Sequence, residues 1–143
     1  MAIKLDFEGF DDLIEKIEAA GGTADRAAES ALSASAVIME EELRDQLKAA
    51  TESELAQRMP RFRIKKDGNA YRAEVGFEST PYNQSDPSDY YKAIFLNYGT
   101  PERSQHGKEK ARGFIRKAKR RARPKIKEAQ QEALEKILER LKK

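Results

Sequence analysis

The chain has 143 residues, 38% of them hydrophobic and 37% charged, which fits one domain with a modest core and a surface far more charged than the usual quarter. It has no cysteine and a single histidine, His106, which excludes disulfides, thiolate nucleophiles, zinc-cysteine sites and paired histidines. The net charge of +3 conceals an asymmetry, because Met1 to Pro60 is rich in Asp and Glu whereas Arg61 to Lys143 is rich in Lys and Arg. That pattern suits either an anionic partner or a subunit whose acidic face meets a neighbour's basic face.

No apolar run reaches the ~20 residues that a membrane span needs, and Met1 to Asp6 lacks the apolar stretch of a signal peptide. The expectation is a protein made and kept in a cytoplasm, without a membrane partner. Ile3-Lys4-Leu5-Asp6-Phe7 alternates apolar and polar side chains and predicts a short strand. Phe10, Leu13, Ile14 and Ile17 then recur at helical steps until Gly21-Gly22 stops them. Thr23 can cap a second helix, whose stripe of Ala28, Leu32, Ala36, Met39, Leu43 and Leu47 predicts a run to about Ala50. Small residues crowd its first half and invite a close neighbour. Glu40, Glu41 and Glu42 are expected on its wet face.

Pro60 closes the helical region, and two alternating stretches, Phe62–Ile64 and Tyr71–Phe77, flank Asp67-Gly68-Asn69 as a β-hairpin. Ser79 to Asp89 reads as a polar loop, either mobile or ordered by a partner. Tyr90, Tyr91, Ile94, Phe95, Leu96 and Tyr98 form the densest aromatic cluster, expected mainly in the core, and end at Gly99-Thr100-Pro101. After a second polar loop, Ile115, Ala118, Ala122, Ile126, Ala129, Ala133, Ile137 and Leu141 mark a long terminal helix with a kink or restart near Arg123, ahead of Pro124. The expected fold is α+β: a small antiparallel sheet, from the first strand, the hairpin and the Ile94 region, against two long helices in a single domain.

Tyr90-Tyr91-Lys92-Ala93-Ile94-Phe95-Leu96-Asn97-Tyr98-Gly99-Thr100, a polar loop, and then Ala111-Arg112-Gly113-Phe114-Ile115-Arg116-Lys117-Ala118 resemble the tail-component family of siphophages. The shared signature is an aromatic-Gly-Thr turn followed by an Ala-Arg-x-Phe-aliphatic helix start. The family pattern places an acidic residue before the turn and prolines at the helix start, where this chain has Asn97, Gly113 and Lys117. The resemblance implies a neck or tail-completion protein that joins the head to the tail, made in the host cytoplasm and acting in the virion as one protomer of a ring. Its implied partners are sister copies and other head-closure or tail proteins, with non-specific contact to exiting DNA as a further expectation.

Gly99 permits a tight turn and Thr100 before Pro101 restricts the exit, while Phe114 and Ile115 are expected to anchor the last helix on the aromatic cluster. Arg112, Arg116, Lys117, Lys119, Arg120, Arg121, Arg123, Lys125 and Lys127 form the one unusual charge run. No Asn, Gln or aromatic residue interleaves with it between Phe114 and Gln130, which disfavours base-specific recognition. Glu40, Glu41, Glu42 and Asp45 of an adjacent protomer are its expected counterparts. The interaction candidates are thus Tyr98, Gly99, Thr100, Arg112, Phe114, Arg116, Arg120, Arg123 and Glu41. Asp11, Asp12, Glu15 and Glu18 fall on exposed helix faces, and no phosphate loop, nucleophile elbow or metal-ligand spacing occurs. Neither catalysis, a cofactor, a metal nor a small-molecule substrate is expected. The alternatives are a basic, non-specific nucleic-acid-binding accessory protein and a toxin-like or regulatory module of a mobile element.

Overall fold

The computed structural model describes residues 2–5, 7, 9–51, 54–67, 70–83, 85–99 and 113–142, with only the backbone of residues 2, 67 and 70. Its elements are β1 (Ala2–Leu5), α1 (Asp11–Ala19), α2 (Ala24–Ala50), α3 (Leu55–Arg58), β2 (Arg63–Asp67), β3 (Ala70–Gly76), α4 (Asp89–Tyr98) and α5 (Phe114–Leu141). The fold is α+β, with a small antiparallel sheet and two long helices.

The two long helices form the frame. At 1.5 Å per residue each is roughly 40 Å long. They run antiparallel: Ser35 meets Gln130, Glu42 meets Arg121 and Lys125, and Gly22 lies against Leu141. Along α5 the buried positions Phe114, Ala118, Ala122, Gln130, Leu134 and Leu138 recur at multiples of four, the spacing of one helical ridge. Against them α2 presents Ala31, Ser35, Ala36 and Met39, and the small side chains on both sides allow a close approach. A Cβ on Gly22 would stand 2.6 Å from Ile17 Cγ2 and 2.8 Å from Leu141 Cδ1, so the α1–α2 turn is packed as tightly as the helices.

The sheet has the order β1-β3-β2, with Ile3 opposite Val75 and Ile64 opposite Ala73. Ile3, Ala73, Val75 and Phe77 point into the core beside α2, and the alternate residues Lys4, Lys65 and Glu74 carry charge on the outer face. Period-two patterning therefore set both face and register. Thr23 caps α2 as its sequence predicts, its Oγ1 accepting from Arg26 N at 3.2 Å.

Three expectations need correction. The Ile94 region is no strand. It lies in α4, where Ala93 is fully buried and the other apolar side chains of the cluster are only partly buried, so the aromatic density that suggested a sheet lost to helical periodicity. The short helix α3 was not foreseen; Arg44 holds it and the residue after it, donating to the carbonyls of Ala56 and, at 3.4 Å, Met59. Finally, of the kink or restart expected near Arg123, the restart does not occur: α5 is one continuous helix with Pro124 inside it. Pro124 and Arg120 are both exposed, so the carbonyl that loses its donor can turn to water, and Ala122 and Ile126 hold both sides of the proline to the core.

Two apolar clusters share the α2–α5 interface. The larger joins the sheet, the middle and end of α2, Ala93 of α4, and Phe114, Ala118 and Ala122 of α5. The smaller joins Ile17, Ala27, Ala31, Leu134 and Leu138. A polar pair lies at their boundary, where Gln130 Nε2 donates to Ser35 Oγ at 2.7 Å and Ser35 Oγ donates to the Ala31 carbonyl at 2.9 Å.

Candidate functional site

The turn picked out by sequence is a joint between α4 and α5. Gly99, at φ 80°, ends α4 with its N–H bonded to the Phe95 carbonyl at 2.7 Å. Asn97 then reaches across to the start of α5, its backbone carbonyl accepting from Gly113 N and its Oδ1 from Ile115 N, each at 3.1 Å. Gly113 itself has no side chain with which to cap the helix, and no acidic residue stands in the first turn. The amide oxygen of Asn97 thus satisfies a donor that the helix could not satisfy alone.

Gly113 sits at φ 59°, ψ 32°, in the left-handed region. A proline, with φ fixed near −65°, cannot adopt that geometry, so this joint could not be made with the prolines of the siphophage pattern. Phe114 follows at 2% exposure, in the same cluster as Ala93, while Ile115 is half-buried against it. The anchoring role read for Phe114 and Ile115 is met by the main core together with α4.

The aromatic residues are less buried than expected. Around α4, Tyr91, Phe95 and Tyr98 lie opposite Ala93, on the outer face. Tyr98 is 70% exposed. Tyr82, from the stretch read as a coreless polar loop, packs edge-on against Tyr91 with centroids 4.8 Å apart and against Phe95 at 6.4 Å. Thr80 Oγ1 and Ser88 Oγ share a hydrogen bond of 2.5 Å, and Arg58 bridges to Asp89 at 3.1 Å, so the described part of this segment is tied down within the chain.

The basic run divides into two groups. Arg121 and Lys125 face α2, where Glu42 receives Lys125 Nζ at 2.6 Å and Arg121 Nε at 3.4 Å. The Glu42 side chain is 9% exposed, so the expectation of a solvated Glu42, or of one paired with an adjacent protomer, is overturned. Its position on the α2 face nearest α5 forces burial, and the two cations offset the desolvation. Glu40 is likewise engaged, accepting from Arg44 at 2.9 Å. Glu41 is exposed on α2, away from this cluster.

Arg116, Lys119, Arg120, Arg123 and Lys127 belong to the second group, all exposed and with no ion pair among the described residues; Lys117, also exposed, falls between the two groups around the helix. At 100° per residue the second group falls within an arc of about 100° along ~17 Å of axis, so it forms a ridge. Thr100 and Arg112, also candidates, lie outside the described residues, as does His106.

Among the described residues no group of three His, Asp or Glu side chains is placed to hold a metal ion, and no helix is long and apolar enough to cross a membrane. Sequence reasoning missed the capping role of Asn97, the burial of Glu42 and the Ser35–Gln130 bond. Only Asn97 had left a signal, as a departure from the siphophage pattern. Compared with protein-family models, curated proteins and solved structures, the chain matches none.

Proposed function

We propose that this chain is a structural protomer of a phage neck or tail-completion ring, joining head to tail through contacts with sister copies and with other head-closure or tail proteins. What supports the reading is that the two resembling segments are neighbours in the fold, although the joint between α4 and α5 departs from the family pattern at Gly113. The two segments that carry the siphophage resemblance meet through Asn97, Gly113 and Ile115, and Phe114 roots them in the main core. A rigid joint of this kind presents Tyr98 and the α5 ridge outward on fixed elements, which is what a protomer needs if it is to meet its neighbours repeatedly in one geometry.

The test is genetic and visual. Particles lacking the gene should accumulate DNA-filled heads and unattached tails, and supplying the protein should restore joined particles. Normal tail attachment in its absence would end this reading. A second reading, a basic accessory protein that binds nucleic acid without sequence preference, draws on the α5 cations that have no ion pair among the described residues. Salt-dependent binding to random duplex DNA, with tail joining unaffected by loss of the gene, would favour it.

A further inference from the structure

Two charged ridges have no ion pair among the described residues, and they are complementary. One is the basic ridge of α5, with Arg116, Lys119, Arg120, Arg123 and Lys127 giving at least one cation per turn over about three turns. The other lies on α1, where Asp11, Glu15 and Glu18 share an arc of about 60° along ~10 Å, with Asp12 beside them and Lys16 turned to a different face. All four carboxylates are exposed, and none has an ion pair among the described residues.

The fold keeps most of the two ridges apart within one molecule; only their near ends approach, because Asp11 and Asp12 line a hollow with Gln131, one helical turn beyond Lys127. Ile17 of α1 packs with Leu134 and Leu138, and the turn after α1 meets Leu141, so α1 is fixed to the C-terminal half of α5. The cations lie on the N-terminal half of the same helix. Of the acidic positions on α2 expected as counterparts, Glu42 is taken by Arg121 and Lys125 and Glu40 by Arg44, while Glu41 and Asp45 are exposed singly and form no continuous ridge with α1.

We propose that the basic ridge of α5 docks against the acidic ridge of α1 in a second copy of the chain. The proposal builds on the ring reading and assigns its copy-to-copy contact. Charge complementarity argues for this occupant: both ridges carry about one charge per helical turn, of opposite sign, on exposed faces of the same chain. Exposed pairs are individually weak and easily screened, so the contact holds only where several form together or where a preformed neighbour concentrates the copies.

The absence of native cysteine makes cross-linking a clean test. Chains carrying Glu15→Cys and chains carrying Arg123→Cys, mixed under mild oxidation, should give a disulfide-linked dimer at about 0.1 M salt. The dimer should be lost at about 1 M, where the screening length falls from ~10 Å to ~3 Å. Adding Arg116→Glu and Arg120→Glu to the second chain should lower the yield by about tenfold. A Glu29→Cys chain in place of Glu15→Cys, at an exposed position of α2, sets the background, and a yield no higher than that background overturns the proposal. So does a charge reversal that leaves the cross-link intact while abolishing binding to a random-sequence duplex, because the ridge then faces nucleic acid. Loss of tail joining in particles lacking the gene, together with no cross-link, would refute this contact and leave the ring reading standing; normal joining would refute the ring reading whatever the cross-link shows.

Discussion

The two ends of the α2–α5 pair are built on different terms. At the sheet end, the cluster draws on strands and four helices, with Phe114 of α5 among its anchors, so each buried side chain there is supported from several directions. At the α1 end, Ile17, Ala27, Ala31, Leu134 and Leu138 form a much smaller cluster with no strand in it. Between them lies the Ser35–Gln130 bond, and alongside the sheet-end cluster, next to Leu43, lies Glu42 with its two cations. The difference teaches that polar groups inside this interface mark register. An antiparallel helix pair lined with alanines could slide by a turn at little expense in apolar area, but a slip would strand Gln130 and Glu42 without partners.

The largest effects should come from the leucines. Leu43→Ala in the larger cluster and Leu134→Ala in the smaller one, both at most 2% exposed, should each cost about 3 kcal/mol in denaturant unfolding. Hydrogen exchange should separate them. Leu134→Ala should speed exchange in α1 well before α2, because α1 has few other anchors, whereas Leu43→Ala should raise exchange across the sheet and both long helices together. If Leu134→Ala also loosened the sheet, the two clusters would be one cooperative unit and the contrast would fail.

Next comes the buried carboxylate, where the order of effects matters more than their size. Arg121→Met combined with Lys125→Met leaves Glu42 in a dry site without a partner and should cost about 2 to 3 kcal/mol. Glu42→Gln releases two cations that are already more than half exposed, so it should cost under about 1 kcal/mol. Chemical denaturation of the two variants checks the order, and its reversal would mean that the cations, not Glu42, depend on the pairing. At the sheet end, Asn97→Ala should cost about 1 kcal/mol by removing the cap on α5, with faster exchange of the Ile115 amide as its local sign.

How much of this was legible before the structure differs from element to element. The strand at Ile3, the capped helix from Thr23, the hairpin and the terminal helix all announce themselves, because each depends on a period or a cap within its own few residues. The stretch from Tyr90 to Tyr98 does not, since aromatic and β-branched content argues for a strand while the spacing of Tyr90, Ala93 and Leu96 argues for a helix. Glu42 was unreadable for a different reason. Within α2 it is the third of three adjacent glutamates, and only the position of α5, 83 residues away at Lys125, decides that it is the most deeply covered of them. Of the interaction candidates, the anchoring of Phe114 and the exposure of Arg116, Arg120, Arg123 and Glu41 accord with the sequence reading, whereas the acidic ridge of α1 was set aside as solvated helix.

The smallest expected effect lies on the outer face of the sheet, and its sign can be worked out. Lys65 Nζ bonds Glu74 Oε2 at 3.0 Å, and that hydrogen bond, ahead of the opposing effect of desolvation, holds the Glu74 carboxyl below the usual carboxylate range. A carboxylate with a depressed folded pKa binds fewer protons folded than unfolded. Its contribution is therefore complete above the ordinary value of about 4.3 and is lost as pH falls through the lower folded value. Lys65 is half exposed, so water and salt screen the pair, and the stabilisation should be no more than roughly a few tenths of a kcal/mol. Urea unfolding at about pH 6 and about pH 3 should show wild type losing slightly more stability than Lys65→Met across that window, the other carboxylates cancelling in the difference. Equal losses would place Glu74 among the fully solvated groups, and the outer face of the sheet would then contribute surface charge and nothing to stability.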